Sequence, residues 1–337
     1  WYFFAALLCV VALQVLILNI FDSAALAALS NIIAGMIVYS YYRLAGIDIL
    51  ISEIMPIMKI MIVLGLISAI LYTFFPDLFS IYEFTDSYGD RRKVSHIAFL
   101  FYRGIVGVKE RLCGFFWEPG IYQIYLNIFL ILQLNKYKEK LWIFATILSI
   151  ILTVSTTGYI ILSIILLYEL FKKLHTTKNI FTVIAVMIVA AVGFGYGYKI
   201  VTGNISDKVS GENQGSFFAR QADVIAGLTI AYENPLIGIG ANTERFKQMR
   251  SQIAWQGELT GSQTKDTGNT NGLISLMYIW GIPFAAWYLW GMCRQKIICG
   301  SKWIMAALLL LSLNSEPLAM TPFFLLFIYS GLDNTLD

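Results

Sequence analysis

Long apolar runs, rather than two-residue alternation or a one-sided stripe, dominate the chain. A helix needs about 20 mostly apolar residues to cross the hydrocarbon of a bilayer. Read this way, the pattern predicts ten spans, at 2–21, 24–42, 57–75, 117–135, 138–154, 158–172, 180–200, 271–292, 302–314 and 318–332. A short interfacial helix is expected over 47–55, where Asp48 and Glu53 interrupt the run. Two long apolar stretches are divided into short spans. One turns at Ser155-Thr156-Thr157-Gly158, so that the lysines on either side both face the cytoplasm, as short basic loops prefer. The other is cut by Asn314-Ser315-Glu316-Pro317, since a Glu-Pro pair is a poor fit to the middle of one continuous helix. The fold class is therefore all-α: a polytopic integral membrane protein with about ten transmembrane helices, some short, and two long external loops at about 76–116 and 201–270. The whole of 1–337 reads as a single polytopic membrane domain, with no internal repeat and no low-complexity linker. The chain opens at Trp1 inside an apolar run, which suggests an incomplete N-terminus.

Composition sharpens the class. Hydrophobic residues make up 58% and charged residues 13%, whereas a soluble domain carries roughly 25% charged residues. A soluble enzyme and a disulfide scaffold are excluded on that ground. The net charge of +3 provides no field for nucleic acid. With both chain ends inside, the inner loops are net positive and the outer loops are not, in line with the positive-inside bias. Cys9, Cys113, Cys293 and Cys299 are scattered, and with His96 and His175 they offer no metal-ligand spacing. Only Cys113 falls outside, so no external disulfide is expected. No cofactor or metal is expected.

Candidate chemistry lies in the external loops. One carries Arg91, Arg92, Lys93, Arg103, Lys109 and Arg111; the other carries Lys208, Arg220, Arg245, Lys247, Arg250 and Lys265. The planar, permanently charged arginine fork suits phosphate. Each arginine taken alone is more simply a solvated loop charge. Glu118 stands where a loop enters an apolar helix, with Pro119 at a first-turn position. A carboxylate there either caps the helix or, partly desolvated beside aromatic residues, serves as a general base. His96 is more simply an inert surface side chain. Gly238 and Gly240 lack the third glycine of a dinucleotide loop. Glycines 193 and 197 form a helix-packing pair.

Four features together resemble the O-antigen polymerase and ligase superfamily of bacterial envelopes. Arg220 in Ser216-Phe-Phe-Ala-Arg220 precedes Asn234-Pro235-Leu236-Ile237-Gly238-Ile239-Gly240 by about fifteen residues; this second motif is similar to the family's Pro-hydrophobic-Gly-hydrophobic-Gly signature. Asn269-Thr270-Asn271-Gly272-Leu273 precedes Gly281-Ile282-Pro283 at the re-entry into the membrane. The others are Ser155-Thr156-Thr157-Gly158-Tyr159 and Phe116-Trp117-Glu118-Pro119-Gly120. The resemblance implies a metal-independent glycosyltransferase acting on the outer face of the bacterial plasma (inner) membrane. Its substrate would be an undecaprenyl-pyrophosphate-linked oligosaccharide, with membrane lipids around it and a polysaccharide chain-length regulator as a candidate partner. It implies catalytic roles for Glu118, as base, and Arg220, as first choice for the pyrophosphate, with Arg111, Arg245, Arg250, Tyr159 and Asn271 binding substrate. Ligases carry a histidine where this chain has Thr270, which favours a polymerase. A ligase-like transfer to another acceptor, or a lipid-linked sugar transporter or flippase, are the alternatives; the transporter sits badly with spans so poor in charge.

Overall fold

The computed structural model describes residues 2–18, 23–85, 91–106, 110–176, 214–253, 269, 271–298 and 300–334. Among these it forms twelve α-helices and one four-stranded sheet. In order they are α1 (Tyr2–Leu18), α2 (Ser23–Ala45), α3 (Ile47–Phe74), β1 (Ser80–Thr85), β2 (Arg91–Ile97), β3 (Leu100–Ile105), β4 (Arg111–Gly114), α4 (Pro119–Leu132), α5 (Lys140–Leu152) and α6 (Thr156–Thr176). Then follow α7 (Gln214–Glu233), α8 (Thr243–Ser251), α9 (Gly272–Trp280), α10 (Ile282–Cys293), α11 (Lys302–Ser315) and α12 (Pro322–Leu332). The span expected at 180–200, with its glycine pair, lies outside the described residues. Helices α2 and α3 are long and apolar enough to cross a membrane; α1, α5, α11 and α12 are apolar but shorter.

Three expectations are corrected here, and a fourth, the span over 271–292, below. The all-α class gives way to a mostly helical fold with a sheet, because 76–116 is not a tether. Its strands were hidden by their charge: Arg91-Arg92-Lys93-Val94-Ser95-His96-Ile97 alternates two faces that both carry polar groups. The second expected loop, 201–270, contains helices α7 and α8. The interfacial helix and the third span are one helix, α3, which runs through Pro56.

The chain forms two compact units. One is built mainly from residues 1–54 and 218–337, the other from 55–86 and 90–217. In the second unit α4 is central. Nearly all of its residues are buried, as expected of a helix apolar all round. It packs against α5, α6 and β4. The sheet is an antiparallel meander in the order β1-β2-β3-β4. The register puts Phe79, Ser95, Tyr102 and Leu112 on its inner face, where Tyr102 stacks on Tyr72 of α3 with ring centroids 4.2 Å apart. Behind it, Lys93 Nζ pairs with the buried Glu110 at 2.6 Å. Helices α5 and α6 do separate, close to the expected turn. Val154 takes a left-handed φ of 47°, and Ser155 Oγ accepts from Gly158 N at 3.3 Å.

In the first unit, α2 and α12 pack along their lengths, and Arg43 Nε meets Asp333 Oδ2 at 2.6 Å. The expected span over 271–292 is instead two short helices, α9 and α10, broken at Gly281. A break in an apolar helix strands main-chain carbonyls, and these need partners. The segment 235–240 supplies them: Ile239 N donates to Tyr278 O at 2.7 Å, Gly240 N donates to Ile279 O at 3.2 Å, and Ile282 N donates back to Pro235 O at 2.8 Å. From α1, Gln14 Nε2 donates to Ile237 O at 2.7 Å and Ile279 O at 2.6 Å. The two backbones lie so close that a Cβ on Gly281 would stand 2.1 Å from Leu236 O, and one on Gly238 would stand 2.4 Å from Ile279 O. Both glycines also have positive φ, 90° and 66°. The Pro-Leu-Ile-Gly-Ile-Gly motif is therefore a backbone splint for the broken helix.

Gly281→Ala should lower stability by about 2 kcal/mol or more, through overpacking and a strained φ. The expected readout is a clear fall in the melting temperature of the detergent-solubilised protein. Ala286→Gly, at an exposed position of α10, is the control for helix propensity alone and should cost about 1 kcal/mol or less.

Candidate functional site

The loop arginines of 76–116 come together through strand register. Tyr82 pairs with Val94, Val94 with Arg103, and Arg103 with Arg111; Phe84 pairs with Arg92. Side chains two apart share a face, so Tyr82, Phe84, Arg92, Arg103 and Arg111 all belong to the outer face of the sheet. Glu118 closes the cluster. Its backbone occupies the N-cap of α4 in an extended conformation, with Pro119 next, and its carbonyl accepts from Ile121 N and Tyr122 N. The side chain makes no cap hydrogen bond. Instead Arg103 Nη1 donates to Glu118 Oε1 at 3.1 Å and to Trp117 O at 3.3 Å. The helix start fixes the position of the carboxylate, and an arginine claims its oxygen.

Arg111, on β4, is partly buried. Its pKa lies below the ordinary guanidinium value, chiefly because burial disfavours charge. Cys113 and Glu118 act against that, and Arg92 and Arg103 add to it by like-charge repulsion. The group stays protonated at neutral pH. Among the described residues its guanidinium makes no ion pair. Tyr159, on α6, lies within electrostatic reach of Arg111 and donates its hydroxyl to Ile151 O at 2.8 Å. Of the residues singled out by sequence, Arg111 thus interacts electrostatically with both Glu118 and Tyr159. Arg103, which holds Glu118, was missed as a site residue; the signal for it is the strand period that places it opposite Arg111.

A second polar cluster lies in the other unit. Arg250 Nη1 meets Asp223 Oδ1 at 3.0 Å, with side-chain exposures of 10% and 1%. Asn269 Nδ2 donates to Asp223 O at 2.9 Å, and Asn269 Oδ1 accepts from Asn271 N at 2.8 Å. Asn271 caps α9: its Oδ1 accepts from Leu273 N at 3.0 Å and Ile274 N at 3.1 Å, while its Nδ2 donates to Asn314 Oδ1 at 2.9 Å. Arg245 lies in the first turn of α8, its backbone N–H taken by Asn242 Oδ1 at 2.8 Å. The side chain of Arg220 lies outside the described residues. Asp223, one turn further along α7, was missed; its spacing from Arg220 is the available signal.

A family model described as O-antigen ligase (Wzy_C) matches residues 141–266. That segment, somewhat over a third of the chain, is similar to the family. No curated protein and no solved structure matches the chain. The matched segment contains Tyr159, Arg220, Asp223, Arg245 and Arg250. The sheet, Glu118 and Asn271 fall outside it.

Asp223→Asn should cost about 3–5 kcal/mol, because it leaves the Arg250 charge buried without its carboxylate. Adding Arg250→Gln should recover part of that loss, and a double-mutant cycle on melting curves measures how much. Cys113 gives a pH test. Burial first, then Glu118, pushes its thiol up to about 12, against Arg111 and Arg103, which favour the thiolate. Because only the thiolate reacts, Cys113 should resist maleimide at about pH 8 in the folded protein and react on denaturation.

Proposed function

We propose that this protein is a polymerase: a glycosyltransferase that joins undecaprenyl-pyrophosphate-linked repeat units on the outer face of the bacterial plasma membrane. The proposal includes a single membrane domain of about ten spans. In the reaction, an acceptor hydroxyl attacks the anomeric carbon of the donor glycan. The bond from that carbon to the pyrophosphate oxygen breaks, and the proton passes to the Glu118 carboxylate. Undecaprenyl pyrophosphate leaves, and the chain grows at its reducing end. Arginines, not a divalent ion, stabilise the departing charge, work for which one preorganised contact contributes roughly 3–4 kcal/mol.

The observation that carries the reading is the arginine row of the sheet with a carboxylate at its edge. Clustered cations repel one another and gain from a dianionic ligand. Arg103 holds the Glu118 carboxylate in place by a hydrogen bond to Oε1. In the other unit, Arg220, Arg245 and Arg250 are the candidate pyrophosphate contacts, and Asn271 a substrate contact. The absence of a histidine at Thr270 favours polymerase over ligase. The ligase reading keeps its place because the matching family model is described by that activity.

The test uses purified protein in nanodiscs, given the lipid-pyrophosphate-linked repeat unit alone with chelator. A ladder of multimers is expected. Glu118→Gln should slow it about 10²–10⁴-fold, and Arg220→Ala should abolish it. An unchanged rate for Glu118→Gln removes its role as base. No ladder from the unsubstituted protein overturns the polymerase reading, and transfer to added lipid A-core would then identify a ligase.

A further inference from the structure

We infer that the outer face of the sheet is a saccharide-binding subsite, with the Tyr82–Phe84 pair as its stacking platform. The two rings lie on one face of the edge strand β1, stacked with centroids 5.7 Å apart and planes 23° from parallel. Tyr82 is 62% exposed. Arg103 also lies over Phe84, its guanidinium carbon 5.9 Å from the ring centroid. The same arginine pairs with Glu118. The platform is thus tied, through one side chain, to the carboxylate proposed as base.

The chemistry of the face selects its occupant. A sugar ring presents apolar C–H groups on its faces and hydroxyls around its rim. Aromatic faces suit the first, and planar guanidinium forks suit the second. This face offers both in neighbouring rows: Tyr82 and Phe84 on β1, Arg92 on β2, Arg103 on β3 and Arg111 on β4. From β1 to β4 the distance is about 14 Å at ordinary strand spacing, long enough for a short oligosaccharide rather than one sugar. Lipid tails would be a poor occupant, because covering the aromatic pair would bring hydrocarbon against Arg92 and Arg103. The inference deepens the polymerase reading and rests on it for the source of the glycan, a repeat unit whose phosphate end meets the arginines.

The test measures binding apart from transfer. The probe is the oligosaccharide released from the lipid-linked repeat unit, free of lipid and pyrophosphate. It is titrated onto the full chain in nanodiscs and followed by saturation-transfer NMR. Ring-proton signals are expected. Tyr82→Ala should weaken binding about tenfold, near the upper range for an aromatic contact, while Tyr82→Phe should retain it. Thr85→Ala, on the other face of β1, controls for loss of the strand. In parallel, Tyr82→Trp is placed in nanodiscs containing brominated lipid: unquenched fluorescence is expected. Strong quenching, or equal binding by Tyr82→Ala and the unsubstituted protein, overturns the subsite. If a ladder still forms in that case, the polymerase reading survives without it. If sugar binds and Tyr82→Ala loses it while no ladder forms, the subsite stands and the polymerase reading falls.

Discussion

A buried amide or carbonyl left unpaired costs free energy comparable to a lost hydrogen bond, and that constraint organises the first unit. Its later apolar helices, α9 to α12, are short and repeatedly interrupted, and each interruption has its own repair. At Gly281 the repair is a second strand of backbone, 235–240, aided by the Gln14 amide. At the start of α9 it is the Asn271 side chain. Between α11 and α12, Glu316 N donates to Ser312 O and Thr321 N to Leu318 O, while the buried Tyr288 hydroxyl donates to Ala319 O. The glycines of the signature motif follow from the same constraint, because no other residue allows the two backbones to meet.

In the second unit, the start of α4 sets the arrangement. Pro119 begins the helix without wasting an amide. Buried on almost every side, α4 cannot rotate or slide without exposing a new face. Glu118, immediately before it, is therefore placed by the packing of α4 as well as by its own hydrogen bonds. The last strand of the sheet ends shortly before α4 begins, so the register that aligns Arg103 with Arg111 also brings Arg103 to the carboxylate. An arginine on the neighbouring register position would have pointed to the inner face, toward Tyr72.

What was legible in the sequence follows this physics. Apolar length marked the helices, and Glu316-Pro317 and Ser155-Thr156 marked two of their breaks. The break at Gly281 was not read, although Gly-Ile-Pro stood in view, because its cause is a contact with residues far earlier in the chain. The sheet was not read because both of its faces carry charge, so no apolar alternation announces it. For the same reason Arg111 and Glu118 could be nominated from local chemistry, while Arg103 could not: its role depends on pairing between strands. Asn271 was nominated for substrate, and the capping geometry now gives it a structural task as well.

The two lines that bear on activity come from different parts of the chain. The family match runs over 141–266, whereas the arginine face and Glu118 lie before it in sequence. They meet within the second unit at Tyr159, which belongs to the matched segment and sits within electrostatic reach of Arg111. A surface cluster assembled by chance would have no reason to form beside the short-helix turn that resembles the superfamily's own. The splint at Gly281, by contrast, explains its motif without substrate. The sequence features that suggested one function therefore include at least one, the glycine motif, whose task is to build the scaffold.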